Sequence, residues 1–580
     1  MAITRRTVPG RISIRRSISP VDLLVAVAVI ALFYGIAKLG ESLTVRITPG
    51  AYTTHLSTRF TEIPYYAACS LLRMFVALGL ATVFTFVYAT AAARLRRAEM
   101  ILIPVLDILQ SVPILGFLTF TTVFFLHAFG NNVGLEATCI FAVFTSQAWN
   151  MTFSFYHSLK TQPRDLDEAA RAYRLTKWQR FWKLDVPSSM IGLVWNAMMS
   201  MGGGWFFLTA AEAITISGRQ YTLPGMGSYI GQAIAQGSIG KVGVAVAAMV
   251  VIVIGVNAVF FRPLVAWTEK FRMEESEASE KPRSIVLDLL RRSHFSHYLG
   301  IVFHPVGRFF DRVTRPFGLA EHPLATDEKR QRIGDVIFWA IITALVVVGA
   351  LGGLDYVGKA VGFGSFPYAI GLGAITFVRV VCVLVFATVV WVPIGVVIGM
   401  NPRLTRFAQP VVQVLASFPS NLLFPFLVIA FIAIHLSLDI GSIVLMAIGA
   451  QWYILFNAIA GAIAIPSDLR EMATNFGLSR SQKWRKLILP AIFPAYVTGG
   501  ITAAGGAWNA SIVAEVAVWG SHHLSAEGLG AYITNASNSS ASDHFAKVLM
   551  GVIVMSLFVV LANRLFWRRL YRMAEAHFTL

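Results

Sequence analysis

Cysteine, acid and charge in general are all scarce in this chain of 580 residues. It has 3 cysteines, 30 Asp and Glu against 48 Lys and Arg, and only 13% charged residues. Cys69, Cys139 and Cys382 each fall inside an apolar run, so they cannot build a disulfide framework or a zinc site and read as small core residues. So low a charge content excludes a soluble protein of this length, which would need far more polar surface to cover itself. With 56% hydrophobic residues the chain reads as a polytopic membrane protein. A GxxxxGK[ST] phosphate loop is missing too: the nearest fragment, Gly237 to Val242, lacks the spacing and the hydroxyl. Any ATP is then hydrolysed by another chain, and no cofactor is expected in this one. His294, His297 and His304 lack the ligand spacing of a metal site, so no metal is expected either. No paired His, Cys or carboxylate constellation recurs in the apolar segments, which disfavours a membrane-embedded enzyme.

What charge there is has a pattern. The formal net charge of +18 comes from clusters at Arg5 to Arg16, Arg94 to Arg97, 171–183, 262–333, Arg403 with Arg406, 480–486 and 564–572. These occupy alternate connections between apolar segments, while 127–136 and 435–440 carry no Lys or Arg. This is the positive-inside distribution; it predicts both termini in the cytoplasm and removes the need for a nucleic-acid partner.

Apolar segments fall near 21–39, 65–93, 101–126, 134–156, 187–216 and 241–266, then near 334–352, 366–399, 407–434, 439–464, 490–519 and 543–566. Each is long enough to cross a hydrocarbon core of roughly 30 Å. The expected fold is all-α and polytopic, with about 12 transmembrane helices in two parallel six-helix repeats. The first run is too long for a signal-peptide core and reads as a retained helix. The expected parts are a basic cytoplasmic arm (1–20), a first repeat (21–266), a cytoplasmic linker (267–333), a second repeat (334–572) and a short tail (573–580). The linker reads either as a tether or as interfacial helices on the anionic inner leaflet.

The duplication is explicit. EAARAYRLTKWQRFWKLDVP at 168–187 returns as EMATNFGLSRSQKWRKLILP at 471–490, an offset of 303 that also maps Trp205 onto Trp508, Glu212 onto Glu515, and the GMG ending at Gly227 onto the GLG ending at Gly530. Upstream the offset is 306, pairing Arg73 with Arg379 and Ser111-Val112-Pro113 with Ser417-Phe418-Pro419. Such a repeat means two copies of one unit about a pseudo-twofold axis.

The repeated segment resembles the EAA loop of ABC-importer permeases: EAA, three residues, Gly, nine residues, Ile, one residue, Leu-Pro. Glu471, Ala473, Gly477 and Leu489-Pro490 match in the second copy, with Met472 between. Glu168, Ala169, Ala170 and Pro187 match in the first, where Arg174 takes the glycine position and Asp185-Val186 precede the proline. An acid near the positive end of a short surface helix, small residues for close approach, a glycine turn and a proline opening the next helix suit a docking element. The runs 377–400, 417–431 and 503–530, with weaker versions at 71–93 and 200–227, are similar to the nitrate, sulfonate and taurine group of these permeases.

The resemblance implies a type I ABC-importer permease with both domains fused in one chain of a bacterial inner membrane. It would import a small solute, an anion such as nitrate, sulfonate, taurine or bicarbonate, by alternating access. Its expected partners are two ABC ATPase subunits, as a homodimer, and an extracytoplasmic solute-binding protein. ATPase coupling would lie with Glu168, Ala169, Ala170, Arg174, Glu471, Met472, Ala473 and Gly477. The competing reading is an ion-coupled secondary transporter with six plus six helices.

Arg73 and Arg379 lie inside apolar runs, where an arginine needs a cavity or a partner. They either attract an anion or pair with Glu212 and Glu515. Trp205 and Trp508 stand two helical turns before those glutamates and either narrow a passage or pack in the core. The repeat sets Arg73, Trp205 and Glu212 opposite Arg379, Trp508 and Glu515, which makes these six the candidate substrate pathway. Asn150, Gln147, Asn196, Gln451, Asn457 and Asn509 are further candidates.

Overall fold

A computed structural model describes residues 56–216, 219–271 and 328–577, with isolated positions between 286 and 313. The N-terminal arm, the apolar run at 21–39, most of the linker and the last three residues lie outside the described residues.

Two helical units follow one another. In the first, α1 (Ile63–Arg94), α2 (Arg96–Ser111), α3 (Ile114–Phe129), α4 (Asn131–Lys160), α5 (Arg164–Ala172), α6 (Lys177–Arg180) and α7 (Val186–Ala211) lead to a hairpin, β1 (Ala213–Ile216) and β2 (Arg219–Thr222). Then come α8 (Met226–Ala235), α9 (Ile239–Val256) and α10 (Arg262–Thr268). The second opens with α11 (Glu328–Ala360), and then repeats the plan with α12 (Phe366–Gly399), α13 (Pro402–Ser417), α14 (Phe424–Ala433), α15 (Leu438–Ile463), α16 (Ser467–Asn475), α17 (Arg480–Lys483) and α18 (Leu489–Ala514). It closes with β3 (Val516–Trp519), β4 (His522–Ser525), α19 (Leu529–Asn538), α20 (His544–Ala562) and α21 (Arg568–His577). In each unit the antiparallel hairpin pairs four residues with four, Ala213 to Thr222 and Val516 to Ser525 at the open ends.

Among the described residues, eight helices are long and apolar enough to cross a membrane, or ten where each of two bent pairs is counted as one span. The expected all-α, twice-repeated membrane fold is therefore present, with two local corrections. The runs read as single spans at 101–126 and 407–434 are broken: α2 and α3 meet at 104°, α13 and the segment after it at 84°. The breaks fall at Val112-Pro113 and Phe418-Pro419, where proline forces its predecessor into extended backbone, with ψ 125° at Val112 and 132° at Phe418. The spans drawn to 216 and 519 stop sooner, at Ala211 and Ala514, because the next residues form the hairpins. In the first half α4 is sandwiched between α1 and α7, and in the second α15 lies between α12 and α18. That central position explains why α4 carries Thr138, Thr145, Gln147 and Thr152 fully inside the protein rather than an apolar surface. Of the cysteines, Cys69 and Cys139 are buried as expected, whereas Cys382 is exposed on α12.

The halves exchange contacts. Helix α7 packs on α13 and α18 on α3, while α3 reaches α20 and α14 reaches α9. Gly116 on α3 lets Val552 approach where a Cβ would crowd it. Crossing hydrogen bonds include Ile114 N to Asn509 Oδ1 at 2.8 Å and Asn421 Nδ2 to Thr209 Oγ1 at 2.9 Å.

Candidate functional site

Two features that recur in both halves, and a gap between the halves, carry the functional argument. The first is a buried ion cluster at the far end of α7 and α18. Those helices run 26 residues from the EAA-like segment, about 39 Å at 1.5 Å per residue, and end at Glu212 and Glu515. Arg73 donates from Nη1 to Glu212 Oε1 at 2.9 Å and grips Glu136 through Nε and Nη2, both at 2.6 Å. Arg379 donates from Nη1 to Glu515 Oε1 and from Nη2 to Asp439 Oδ1, both at 2.9 Å. Ser70 Oγ donates to Glu212 at 2.6 Å and Thr376 Oγ1 to Glu515 at 2.8 Å. Backbone donors complete the cage, Gly227 N at 2.7 Å from Glu212 Oε2 and Ala531 N at 3.0 Å from Glu515 Oε2. Both glutamates are fully buried.

This geometry explains the repeated GMG and GLG. A Cβ on Gly225 or Gly528 would collide with the neighbouring glutamate carboxylate, and one on Gly227 or Gly530 with the backbone of α7 or α18. The glycines are there for space, since Gly225 and Gly528 are extended with φ near 180°. Each cluster thus staples α1 or α12, α4 or α15, the end of the long helix and the segment after the hairpin. Glu136 and Asp439 were not singled out from the sequence, yet they are separated by the repeat's own offset of 303, and that register was the signal.

The six pathway candidates do not converge on one place. Arg73, Glu212, Arg379 and Glu515 are engaged within their own halves. Trp205 reaches a gap at the interface with Gln413 and Ser417 across it. Trp508 instead packs with Phe377 and Phe558, on the wall of a flank cavity. The larger interface gap brings together Gly202, Gly203, Phe206 and Phe207 of α7 with Gly506, Asn509 and Ala510 of α18, closed by Ser420, Gly449 and Tyr453. Of the amide candidates, Asn509 faces this gap. Gln451 accepts from Trp391 Nε1 at 2.8 Å, and Asn196 and Asn457 turn back to their own helices. Gln147 donates to the Met74 sulfur, and Asn150 is half-buried on α4.

The third feature is the EAA-like segment. Helices α5 and α16 each follow a proline, Pro163 or Pro466. Their first-turn acids are Asp165 and Asp167, and Asp468; Glu168 and Glu471 stand in the second turn, so the acid at the dipole end is not the motif glutamate. Glu168, Ala169, Glu471 and Met472 are exposed, whereas Ala170 and Ala473 are buried. Both helices end in the same left-handed turn. Leu175 N bonds Ala170 O at 3.0 Å and Leu478 N bonds Ala473 O at 3.1 Å, with Arg174 at φ 47° and Gly477 at φ 63°. Arg174 therefore adopts the conformation that glycine takes in the other copy. Tyr173 and Phe476, one residue earlier, are 80% and 75% exposed. Capping boxes at Thr176/Gln179 and Ser479/Gln482 restart the chain, and five-residue π turns at Phe181–Asp185 and Trp484–Ile488 feed it into the membrane helices.

This constellation can be set beside known proteins. The family described as binding-protein-dependent transport system inner membrane component matches residues 81–266 and again 391–568. The chain belongs to that family. It carries the family's domain twice and is a multi-pass membrane transport component, not an enzyme. A nitrate import permease protein of Leptolyngbya laminosa is 29% identical over 187 residues, 32% of this chain and 62% of that protein. A bicarbonate transport system permease protein of Synechococcus elongatus is 27% identical over 178 residues, 31% of this chain and 60% of that protein. A taurine transport system permease protein of Escherichia coli is 25% identical over 191 residues, 32% of this chain and 64% of that protein. The chain thus spans about three-fifths of the length of these curated relatives.

Proposed function

We propose that this chain is a two-domain permease of an ATP-driven ABC importer for a small anion of the nitrate, bicarbonate, sulfonate or taurine class. One observation carries the reading: the EAA-like helix and its left-handed turn occur twice with the same backbone, each presenting an aromatic residue, Tyr173 or Phe476, almost fully to solvent. A large apolar ring held out by a rigid turn beside exposed Glu168 or Glu471 suits a cleft in a soluble motor. Two such turns suit a pair of ATPase subunits, with an extracytoplasmic solute-binding protein delivering the solute from the other side. An ion-coupled six-plus-six carrier has no motor to dock, so the paired turns speak against it.

The solute would cross at the seam between α7 and α18 by alternating access. Glycines 202, 203 and 506 leave room there, and Asn509, Ser420 and Tyr453 offer neutral hydrogen-bonding groups. The buried arginines would serve as braces rather than anion ligands, since Arg73 and Arg379 each already bind two carboxylates. Both termini and both EAA-like turns would lie in the cytoplasm of a bacterial inner membrane.

The deciding experiment places single cysteines at Tyr173 and Phe476 in a cysteine-free chain and co-expresses the neighbouring ATPase with its own cleft cysteine. Cross-linking at both positions supports the reading; no cross-link at either sinks it. A ligand screen on the co-purified binding protein identifies the anion. For orientation, cysteines at 130 and 437 should react with an impermeant external thiol reagent while those at 278 and 404 stay protected, and the inverse pattern would overturn it.

A further inference from the structure

We propose that the flank of the second half holds one anionic phospholipid from the membrane face that carries the EAA-like turns, its acyl chain in a side cavity and its phosphate among exposed arginines. The cavity measures about 580 Å³ and lies between α12, α18 and α20, within the roughly 300–1,000 Å³ range of pockets that enclose most of a small ligand. Its floor is buried Val380, Trp508 and Trp567, and its rim is exposed Val385, Val389 and Leu565. An apolar pocket whose rim is a membrane-facing helix surface opens to lipid, not to water. A void this large left empty would forfeit dispersion contacts along its whole lining.

The first half shows what closes such a pocket. Val381 on the wall corresponds to Phe75, Ala504 to Met201, and Val380 to Met74. Phe75 packs edge-on against Phe260 at 5.0 Å, and Met74 and Met201 are buried. Three large side chains thus stand where the second half has small ones.

The charge follows the cavity. The π turns at Asn257–Phe261 and Asn563–Trp567 put the last helices in register at an offset of 306. Arg564, Arg568, Arg569 and Arg572 then correspond to Ala258, Arg262, Pro263 and Ala266, so four arginines face one. All four are exposed, and they bracket Leu565, Phe566 and Trp567 at the cavity's end. Asp107 of α2 lies near Arg564 and Arg568 and leaves the group with a positive excess. Trp567 and Leu570 pack into the start of α18, which fixes this basic helix at the mouth. In the second half the open cavity and the arginine cluster occur together, where the described part of the first half has larger side chains at three wall positions and one arginine. That co-occurrence fits an anionic headgroup attached to an apolar chain, and the site is independent of the transport reading.

The test is native mass spectrometry of the full chain released from detergent with added phosphatidylglycerol or phosphatidylcholine. Wild type should retain one phosphatidylglycerol in preference to phosphatidylcholine, by about tenfold. Val381→Phe with Ala504→Met, which installs the first half's own residues, should abolish retention while melting no lower than wild type. Should that pair misfold, Val385→Trp at the rim should also abolish retention. Replacing Arg564, Arg568 and Arg569 by Gln should erase the headgroup preference yet leave one lipid bound. Equal retention by the filled variants, or none by wild type, would overturn the proposal. So would a cross-link between cysteines at 385 and 30, which would assign the cavity to the chain's own first apolar run.

Discussion

The two halves have the same backbone and different chemistry, and the differences cluster where each half meets something outside itself. Inside, the ion clusters match almost group for group: Ser70 for Thr376, Glu136 for Asp439, Glu212 for Glu515. At the edges they diverge. The π turn of the first half buries Asp185, which accepts from Arg94 Nη2 at 2.7 Å; the second half buries Ile488 in the same place. The left-handed turn holds Arg174 in one copy and Gly477 in the other. Duplicated cores stay alike because every partner in a buried polar network must change together. Surfaces facing different neighbours carry no such tie.

The largest effect should come from breaking the matched interior. Removing one partner of a buried ion pair costs roughly 3–5 kcal/mol, so Arg73→Ala and Arg379→Ala should both lower melting temperature and membrane abundance sharply. The clusters are not equal, however. The side chain of Glu136 is 14% exposed, that of Asp439 50%. Arg73→Ala therefore strands two sheltered carboxylates, Arg379→Ala only one, and the first should be the worse. Arg379→Ala with Glu515→Ala should recover abundance. Variants that all behave like the parent would remove the bracing role.

Next comes the π turn. Ile488→Asp buries a carboxylate where the second half has no equivalent of Arg94: the residue 306 further on is Met400. An unpaired buried polar group costs about 1–3 kcal/mol and a charged one more, so thermal stability should fall by about 3 kcal/mol. Ile488→Asp with Met400→Arg should regain part of it if the first-half lock is transferable. No recovery would mean that Gln162, whose Nε2 also approaches Asp185 at 3.3 Å, is an obligatory part of the lock.

Much of this was legible in the sequence, and for a physical reason: a duplication converts any residue needed for packing or chemistry into a pair at fixed offset. The offset exposed the fold class, the EAA-like turns and the Arg–Glu pairs. It also contained Glu136 and Asp439, which went unseen because α4 and α15 read as apolar spans and a single acid near each start passed for a loop residue. Hydropathy hid the breaks at Pro113 and Pro419, since both arms of each bend are apolar and only the proline marks the corner. The seam lining was least legible. Glycines and Ala510 have no polar signature, and Trp508 points to the flank although its neighbour Asn509 faces the gap.

The exposed turn gives a smaller effect. A non-glycine residue in left-handed backbone costs roughly 1–2 kcal/mol, and a Cβ on Gly477 would meet open space. Gly477→Arg should therefore fold with a loss of about 1 kcal/mol, and Arg174→Gly should gain a similar amount. If the two turns dock unequally, ATP hydrolysis and uptake should uncouple in Gly477→Arg and stay coupled in Arg174→Gly. Equal outcomes at both turns would argue for interchangeable docking sites.

The smallest difference concerns acid. Asp167 on α5 pairs with Arg171 and Arg180, tying the helix to the segment that follows. Partial burial pushes its pKa up, but the two guanidinium groups outweigh that and hold it below the usual aspartate range. Position 470, its counterpart, is an arginine whose Nη2 donates to Ile465 O at 2.6 Å, a contact that does not titrate at acid pH. A depressed carboxyl pKa contributes stability that is complete above the ordinary aspartate value and is lost as pH falls through the lower, folded value. Lowering pH from 6 to 3 should therefore loosen α5 more than α16. Because the pair is partly solvated, the change should be a few-fold in local opening, in line with about 0–1 kcal/mol for surface pairs. Amide exchange across 164–172 and 467–475, corrected for its intrinsic pH dependence, measures both helices in one sample. Asp167→Asn should remove the difference at pH 6. Parallel loosening of both helices would show that the acid response does not come from this ion pair.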